Sequence, residues 1–285
     1  MQEYPWQTLH EAKMQAQELN RKQREHFSSL KDNIYGQEAL MAHSELGRLH
    51  FEATVVDNAF NVWHNSRLQF STPRYISGGF PTRDITQTHG GDNLYLYGSH
   101  SITPENISIE RDIVVNRVLC FLISQSYEIF ETFLINCYSR YLESNPEQIP
   151  QKLELQEGAS YDQIRAKIKN KFKNHHDYLK IFYKLSEHFK KHRIKNTWDQ
   201  DLVIYAKVLS LCRHDIVHGR LKMSSQLIEY TSNSTQKKMF EEIFHQHVIE
   251  THAMLQTDLY KAQRAIEKFA EMTAMIAASL DKISK

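Results

Sequence analysis

The scarcity of glycine and proline is the feature that most restricts what this chain can fold into. Its 285 residues contain only 9 Gly and 6 Pro, the two residue types that destabilise helix interiors most. The segment 234–285 contains neither of them, and six of the nine glycines fall within 46–100. The sequence therefore predicts a mainly α-helical protein in which one short region differs from the rest.

Apolar periodicity predicts helices at both ends of the chain. Apolar residues on one stripe predict an N-terminal helix within 1–36, which Gly36 would end. At the other end, 234–285 is expected to form one long coiled-coil-like helix, because its apolar residues alternate at spacings of four and three from Leu255 to Ile283. This helix would pack either on the N-terminal helix or on the same helix of a second copy.

Two further units are predicted between these helices. Segment 46–100 contains the alternating run GRLHFEATVVD and the turn-rich runs SGGFPT and HGGDN, so we expect a small β-rich insert there. Segment 108–230 carries helical stripes, including a long apolar helix at 108–143 that would be packed on two sides. Charged residues interrupt the apolar run of that helix, which indicates a core helix and not a membrane span.

Positive charge is concentrated in one segment, although the net charge is only +1. Segment 165–195 carries +9, and the remaining residues sum to −8. Lysines interleaved with aromatic residues in this way would contact the phosphates of a nucleic acid. The candidate phosphate contacts are Lys167, Lys169, Lys171, Lys173, Lys180, Lys184, Lys190, Lys191 and Arg193. The alternative is a solvated helix face whose aromatic residues belong to the core.

Cysteine and histidine usage argues against disulfides and metal sites. The three cysteines lie in apolar helical patterns without framework spacing, so we expect buried, reduced thiols. His188 and His192 are one helical turn apart, but no third ligand completes a set, and no metal or other cofactor is expected. The N-terminus is too polar to supply a secretory signal, so we expect a cytoplasmic protein without a membrane partner.

The run RHDIVHG (Arg213–Gly219), which closes an apolar helix, is the strongest candidate for a functional motif. The Arg–His spacing alone means little, because the pairs Arg21–His26 and Arg83–His89 match it as well. Five residues on an ideal helix separate Arg213 and His218 by roughly 140° around the axis. They can converge only if the helix ends or bends there, or if a second copy supplies the partner group.

This motif resembles the Arg-x4–6-His signature of HEPN domains, which are all-α domains of four to five helices. The run SQSYEIFETFL (124–134) also resembles the preceding helix of these domains, which often carries an acidic residue before an aromatic one. The resemblance covers about 108–230 and leaves out the N-terminal region and the C-terminal helix. His214 occupies a position where asparagine is usual in the family.

The resemblance implies a metal-independent endoribonuclease with a toxin-like or defence role. His218 would act as general base or acid and Arg213 as phosphate clamp, with Asp215 and Glu128 orienting them. The catalytic candidates are therefore Arg213, His214, Asp215, His218 and Glu128. The implied partners are RNA, a second copy that completes a composite site, and an antitoxin or regulatory protein. One alternative is a non-catalytic HEPN module for RNA binding or oligomerisation; another is that Arg213 and His218 merely cap a helix C-terminus.

Overall fold

The computed structural model confirms a mainly α-helical chain. It describes residues 33–68, 76–83, 94–102, 106–156, 158–171, 177–218, 221–249 and 252–283. In chain order, the elements are helix α1 (Ile34–Leu68), strands β1 (Ile76–Arg83) and β2 (Leu94–Ile102), helices α2 (Ile107–Ser144), α3 (Tyr161–Lys171), α4 (Asp177–Leu185), α5 (Glu187–His192), α6 (Leu202–Val217), α7 (Ser225–Tyr230) and α8 (Ser234–Glu241), strands β3 (His245–Ile249) and β4 (His252–Gln256), and helix α9 (Leu259–Asp281).

The core lies where the three longest described helices, α1, α2 and α9, pack against one another. The buried Phe269 ring of α9 lies 5.1 Å from Phe130 and 5.9 Å from Tyr127 of α2, measured between centroids. On its other side it approaches Tyr205 of α6 at 6.4 Å. Helix α2 also contacts α3 and α6. The prediction of a long central helix packed on two sides is confirmed.

The prediction that the β-rich insert begins at residue 46 is wrong, because 46–68 belongs to α1. The apolar alternation in GRLHFEATVVD contains a helical pair: Leu49 and Ala53 are buried one turn apart. Phe51 and Val55 supplied the other half of the apparent strand pattern, but they lie on the outer face of α1, 65% and 46% exposed. Gly36 lies inside α1 and ends no helix. Residues 1–32, where most of the N-terminal helix was expected, lie outside the described residues.

The second half of the insert does form β structure. Strands β1 and β2 pair antiparallel, with Ile76 opposite Ile102 and Arg83 opposite Leu94, and the register shifts between Gly78 and Phe80. The turn-rich run SGGFPT falls in β1, whereas HGGDN lies outside the described residues. The predicted insert therefore contains β structure, but too many residues were assigned to it, and SGGFPT, which suggested a turn, lies within a strand.

The prediction of one helix over 234–285 is also wrong, since a β-hairpin divides it. Helix α8 is followed by the antiparallel strands β3 and β4, and only then by α9. Backbone pairing with the distant segment 221–223 adds to this hairpin: the Leu255 N–H donates to the Leu221 carbonyl (2.8 Å), and the Met223 N–H donates to the Ala253 carbonyl (2.9 Å). These contacts between distant parts of the sequence override a local pattern that suits a helix equally well.

Helix α9 keeps the predicted apolar seam and packs within the same chain. The buried seam residues of α9 are Ala262, Ile266, Phe269, Thr273, Ile276 and Leu280. They face α1 and α2, so α9 packs on a helix of its own chain, although that helix is α1 and not the one expected at 1–36. Helix α2 is long and apolar enough to cross a membrane by length and composition alone, but 61% of its most apolar window is buried within the chain, as in a core helix.

We expect the three cysteines to resist alkylation in the folded protein. Cys120, Cys137 and Cys212 are free and buried. Burial raises the pKa of Cys120 to about 12 and the pKa values of the other two well above their usual range. Thiol reagents attack the thiolate, so labelling at pH 8 should be at least about tenfold slower than for free glutathione and should become complete in guanidinium chloride. A cysteine that reacts rapidly in the native state would contradict this burial.

Candidate functional site

Residues 213–217 of the RHDIVHG motif form the C-terminal end of α6, and His218 is its C-cap. The helix is also fixed firmly at its N-terminus. The Asp201 carboxylate caps α6 by accepting hydrogen bonds from the backbone N–H groups of Val203 (2.9 Å) and Ile204 (3.4 Å). The Arg193 guanidinium holds that carboxylate, with Nε 3.0 Å from Oδ1 and a further bond from Nη2. This hydrogen bond raises the pKa of Arg193. The helix then buries one apolar stripe, Tyr205, Leu209, Cys212 and Ile216.

Backbone contacts also fix the C-terminal end of α6. The His218 N–H donates to the His214 carbonyl (2.9 Å), so the helical hydrogen-bond pattern continues through the motif. The Leu221 N–H then donates to the Asp215 carbonyl at 3.2 Å. Leu221 adopts a left-handed conformation with φ of 69°, which is unusual for a branched residue. Gly219, the last residue of the motif, lies outside the described residues.

Arg213 points from α6 towards α2. Its side chain is 33% exposed, and its Nη2 donates to Glu128 Oε1 at 2.9 Å. Arg213 and Glu128 are therefore in contact, as expected from the sequence. Arg213 Nε is shielded from solvent and has no acceptor among the described residues. Burial raises the pKa of the neighbouring Tyr127 hydroxyl, as does the Glu131 charge, while a hydrogen bond with Ser210 and the Arg213 charge oppose that rise. The guanidinium is thus oriented at the junction of α6 and α2.

His218 and His214 form an exposed pair on a different side of α6. Their ring centroids are 4.9 Å apart, as expected for side chains one helical turn apart. Both side chains are exposed, so His218 is accessible to a substrate. Within the described part of the chain, no hydrogen bond or ion pair joins either ring to Arg213. One copy therefore places the arginine and the histidines on separate surfaces, as their helical spacing predicts.

Asp215 does not orient Arg213 or His218 through its carboxylate, so its expected role needs correction. It is only 1% exposed, and its Oδ2 accepts hydrogen bonds from the Ser224 N–H (2.8 Å) and the Ser224 hydroxyl (3.0 Å). Ser224 is in turn the N-cap of α7 and accepts from the Leu227 N–H at 3.2 Å. Asp215 therefore ties the end of the motif helix to the start of α7, and its role is structural.

The predicted phosphate contacts are spread over α3, α4 and α5 instead of forming one strip. Arg193 is a correction, because Asp201 uses its Nε and Nη2 and its guanidinium is committed to the α6 cap. Lys171 pairs with Glu154 (3.3 Å) and Lys190 with Glu187 (3.2 Å), both at exposed positions. The remaining described lysines, at least partly exposed, are Lys167, Lys169, Lys180, Lys184 and Lys191; Lys173 lies outside the described residues.

Sequence reasoning missed Lys207, which lies on a different side of α6 from Arg213. Its ammonium lies 4.5 Å from the centroid of the Tyr230 ring on α7. Lys207 precedes His214 by seven residues and His218 by eleven, so helical geometry places all three within roughly 20° of one line along α6. The spacing was visible in the sequence, but no pattern indicated that this face would remain open.

A cavity of about 360 Å³ between α1 and α2 lies next to Glu128. Carboxylates from Glu38, Glu45 and Glu128 line it, with Arg48 as the basic member. Excess negative charge repels phosphate, so this cavity does not suit the backbone of a nucleic acid. Among the described residues, no group of three or more His, Cys, Asp or Glu side chains is arranged to hold a metal ion.

Comparisons with protein-family models, with curated proteins and with solved structures find no match for this chain.

Proposed function

We propose that the chain is a metal-independent endoribonuclease with a HEPN-like helical core, which acts in the cytoplasm as a homodimer in a toxin-like or defence role. The single observation that carries the proposal is that the exposed His214–His218 pair lies at the same end of α6 as the Arg213 guanidinium, which Glu128 holds in place. A histidine that only filled the core would be buried, and these two are not. RNA self-cleavage requires one group that stabilises the charge developing on the phosphate and other groups that transfer protons.

The proposed reaction is an internal transfer at one phosphate of the RNA. The ribose 2′-oxygen loses its proton and attacks the neighbouring phosphorus, while the bond from phosphorus to the 5′-oxygen breaks and that oxygen gains a proton. The products carry a 2′,3′-cyclic phosphate and a 5′-hydroxyl. His218 makes one of the two proton transfers, and His214 is positioned to make the other. Arg213 neutralises the charge that develops on the non-bridging oxygens.

A second copy is part of this proposal because of where Arg213 points. The guanidinium faces α2 and the imidazoles face away from it. In a twofold dimer, Arg213 of one copy can lie opposite His218 of the other, and symmetry then creates two equivalent sites. The resemblance implies the same composite arrangement. An antitoxin or regulatory protein would act by covering this surface.

Purified protein should cleave single-stranded RNA in the presence of EDTA, because imidazole and guanidinium groups carry the chemistry. End-group analysis by mass spectrometry should find 2′,3′-cyclic phosphates and 5′-hydroxyls. The same RNA with 2′-deoxyribose at every position should stay intact, since it lacks the attacking oxygen. Cleavage of that DNA analogue, or loss of all activity on chelation, would contradict the proposed reaction.

The alternative function is a non-catalytic module for RNA binding or oligomerisation. One observation favours it: no described residue forms a hydrogen bond that orients the His218 ring. A protein that binds RNA as a dimer but leaves it uncut, with and without EDTA, would support this alternative over the nuclease.

A further inference from the structure

One face of α6, formed by Lys207, Leu211, His214 and His218, connects the histidine pair to an isolated cation. We call it the Lys207–His218 face. Successive members are four, three and four residues apart, the spacing that keeps side chains on one side of a helix. Lys207 and Leu211 are half-buried, and the two histidines are exposed. The face is therefore open to solvent at its histidine end and partly open at Leu211 and Lys207.

Tyr230 gives Lys207 a defined position. The ammonium lies 4.5 Å from the ring centroid, within the range of a cation–π interaction. The position of this lysine is restricted in advance, so it loses less side-chain freedom on binding than an ordinary surface lysine would.

Among the described residues, the ammonium of Lys207 forms no ion pair. Asp201, the N-cap of the same helix, is bound by Arg193. Charges of both signs act at the Tyr230 hydroxyl: burial and the Asp201 charge raise its pKa, while a hydrogen bond with Gln236 and the charge of Lys180 on α4 lower it. This end of the face suits a phosphate.

The length of the face defines how much RNA it would hold. Lys207 and His218 are separated by eleven residues, which is about 16 Å at the helical rise of roughly 1.5 Å per residue. The face is therefore long enough to lie along several consecutive phosphates of a single strand.

We propose that single-stranded RNA lies along the Lys207–His218 face, with the cleaved phosphate at His218 and a phosphate a few nucleotides away at Lys207. The inference rests on the proposed function, because it places the substrate of the same site. Lys207 contacts the substrate, and Tyr230 is a positioning residue that holds the ammonium. Leu211, which carries no charge, separates the two contacts.

The test measures RNA binding separately from cleavage. In protein that carries His218→Ala, the affinity for a ten-nucleotide single-stranded RNA is measured by fluorescence anisotropy over a series of salt concentrations. Adding Lys207→Ala should weaken binding about fivefold in 0.1 M salt and reduce the slope of log K against log salt by about 0.7, the value for one phosphate contact on a single strand. Lys152→Ala, a change at an exposed lysine on the 3₁₀ turn Gln151–Leu153, is the matched control and should leave the slope unchanged.

Two substitutions of Tyr230 test its positioning role. Tyr230→Phe keeps the ring and should keep the salt slope, whereas Tyr230→Ala should lower the slope towards that of Lys207→Ala. A purely structural role for Tyr230 would change stability without changing the slope.

Each outcome bears on a different part of the proposal. If Lys207→Ala behaves like Lys152→Ala while RNA still binds, the path along α6 is wrong and the proposed function stands. If His218→Ala protein binds no RNA and the unaltered protein cuts none, the proposed function fails together with the path.

Discussion

His218→Ala is expected to reduce RNA cleavage by at least about a hundredfold, the usual effect of removing a group that transfers a proton in the transition state. The folded state should not change measurably, because the side chain is exposed and makes no described hydrogen bond. Initial rates on a labelled single-stranded RNA, with circular dichroism spectra of both proteins, check the two statements together. A matched control is His245→Ala, which removes another exposed imidazole, 56% accessible, at the start of β3. It should retain full activity.

The same variant also distinguishes a composite site from one contained in a single copy. Arg213→Ala and His218→Ala proteins should each be inactive when pure. After the two are mixed and allowed to exchange subunits, half of the dimers contain one copy of each variant. In a composite arrangement such a dimer keeps one intact site, so the mixture should recover about a quarter of the normal activity. If both groups act within one copy, or if the protein is monomeric, mixing restores nothing.

The helices with one uninterrupted apolar face were predictable from the sequence, and the regions with competing patterns were not. Helices α2 and α6 each have a stripe that only one conformation can bury, and the structure confirms both. In α1, exposed Phe51 and Val55 imitate the period of a strand. The hairpin before α9 pairs with residues 221–223. A local sequence pattern cannot indicate backbone pairing with a segment about thirty residues away.

For the candidate site, sequence reasoning identified the groups but not all of their partners. Exposure of His218 and contact of Arg213 with Glu128 follow from position on the helix and opposite charge. The commitment of Arg193 to Asp201 could not be predicted, because it depends on how α5 approaches α6. The same holds for the bonds of Asp215 to Ser224, which form only because the chain returns after the motif. Residue types therefore predicted the chemistry, and the tertiary fold decided which charges remain available for it.

Asp215→Ala should destabilise the protein by about 2 to 4 kcal/mol, because it leaves the N–H and the hydroxyl of the half-buried Ser224 without their acceptor. For a chain of this size, each kcal/mol corresponds to roughly 2 to 4 °C in Tm, so the expected fall is about 4 to 16 °C. Thermal unfolding followed by circular dichroism measures it. Asp215→Asn keeps one carbonyl oxygen as acceptor and should cost less.

A double-mutant cycle with Ser224→Ala separates the structural role of Asp215 from a catalytic one. If Asp215 acts through Ser224, the loss of stability in the double variant should be smaller than the sum of the two single losses, since both remove the same hydrogen bond. Folded Asp215→Asn protein should then cleave RNA within about threefold of the normal rate, far from the hundredfold loss typical of a proton-transferring group. Additive stabilities together with a large loss of cleavage would instead place the Asp215 carboxylate in the chemistry. We expect the non-additive loss of stability together with near-normal cleavage. The Asp215 carboxylate is 1% exposed and already accepts two hydrogen bonds from Ser224, so it has little freedom to orient a histidine on the surface.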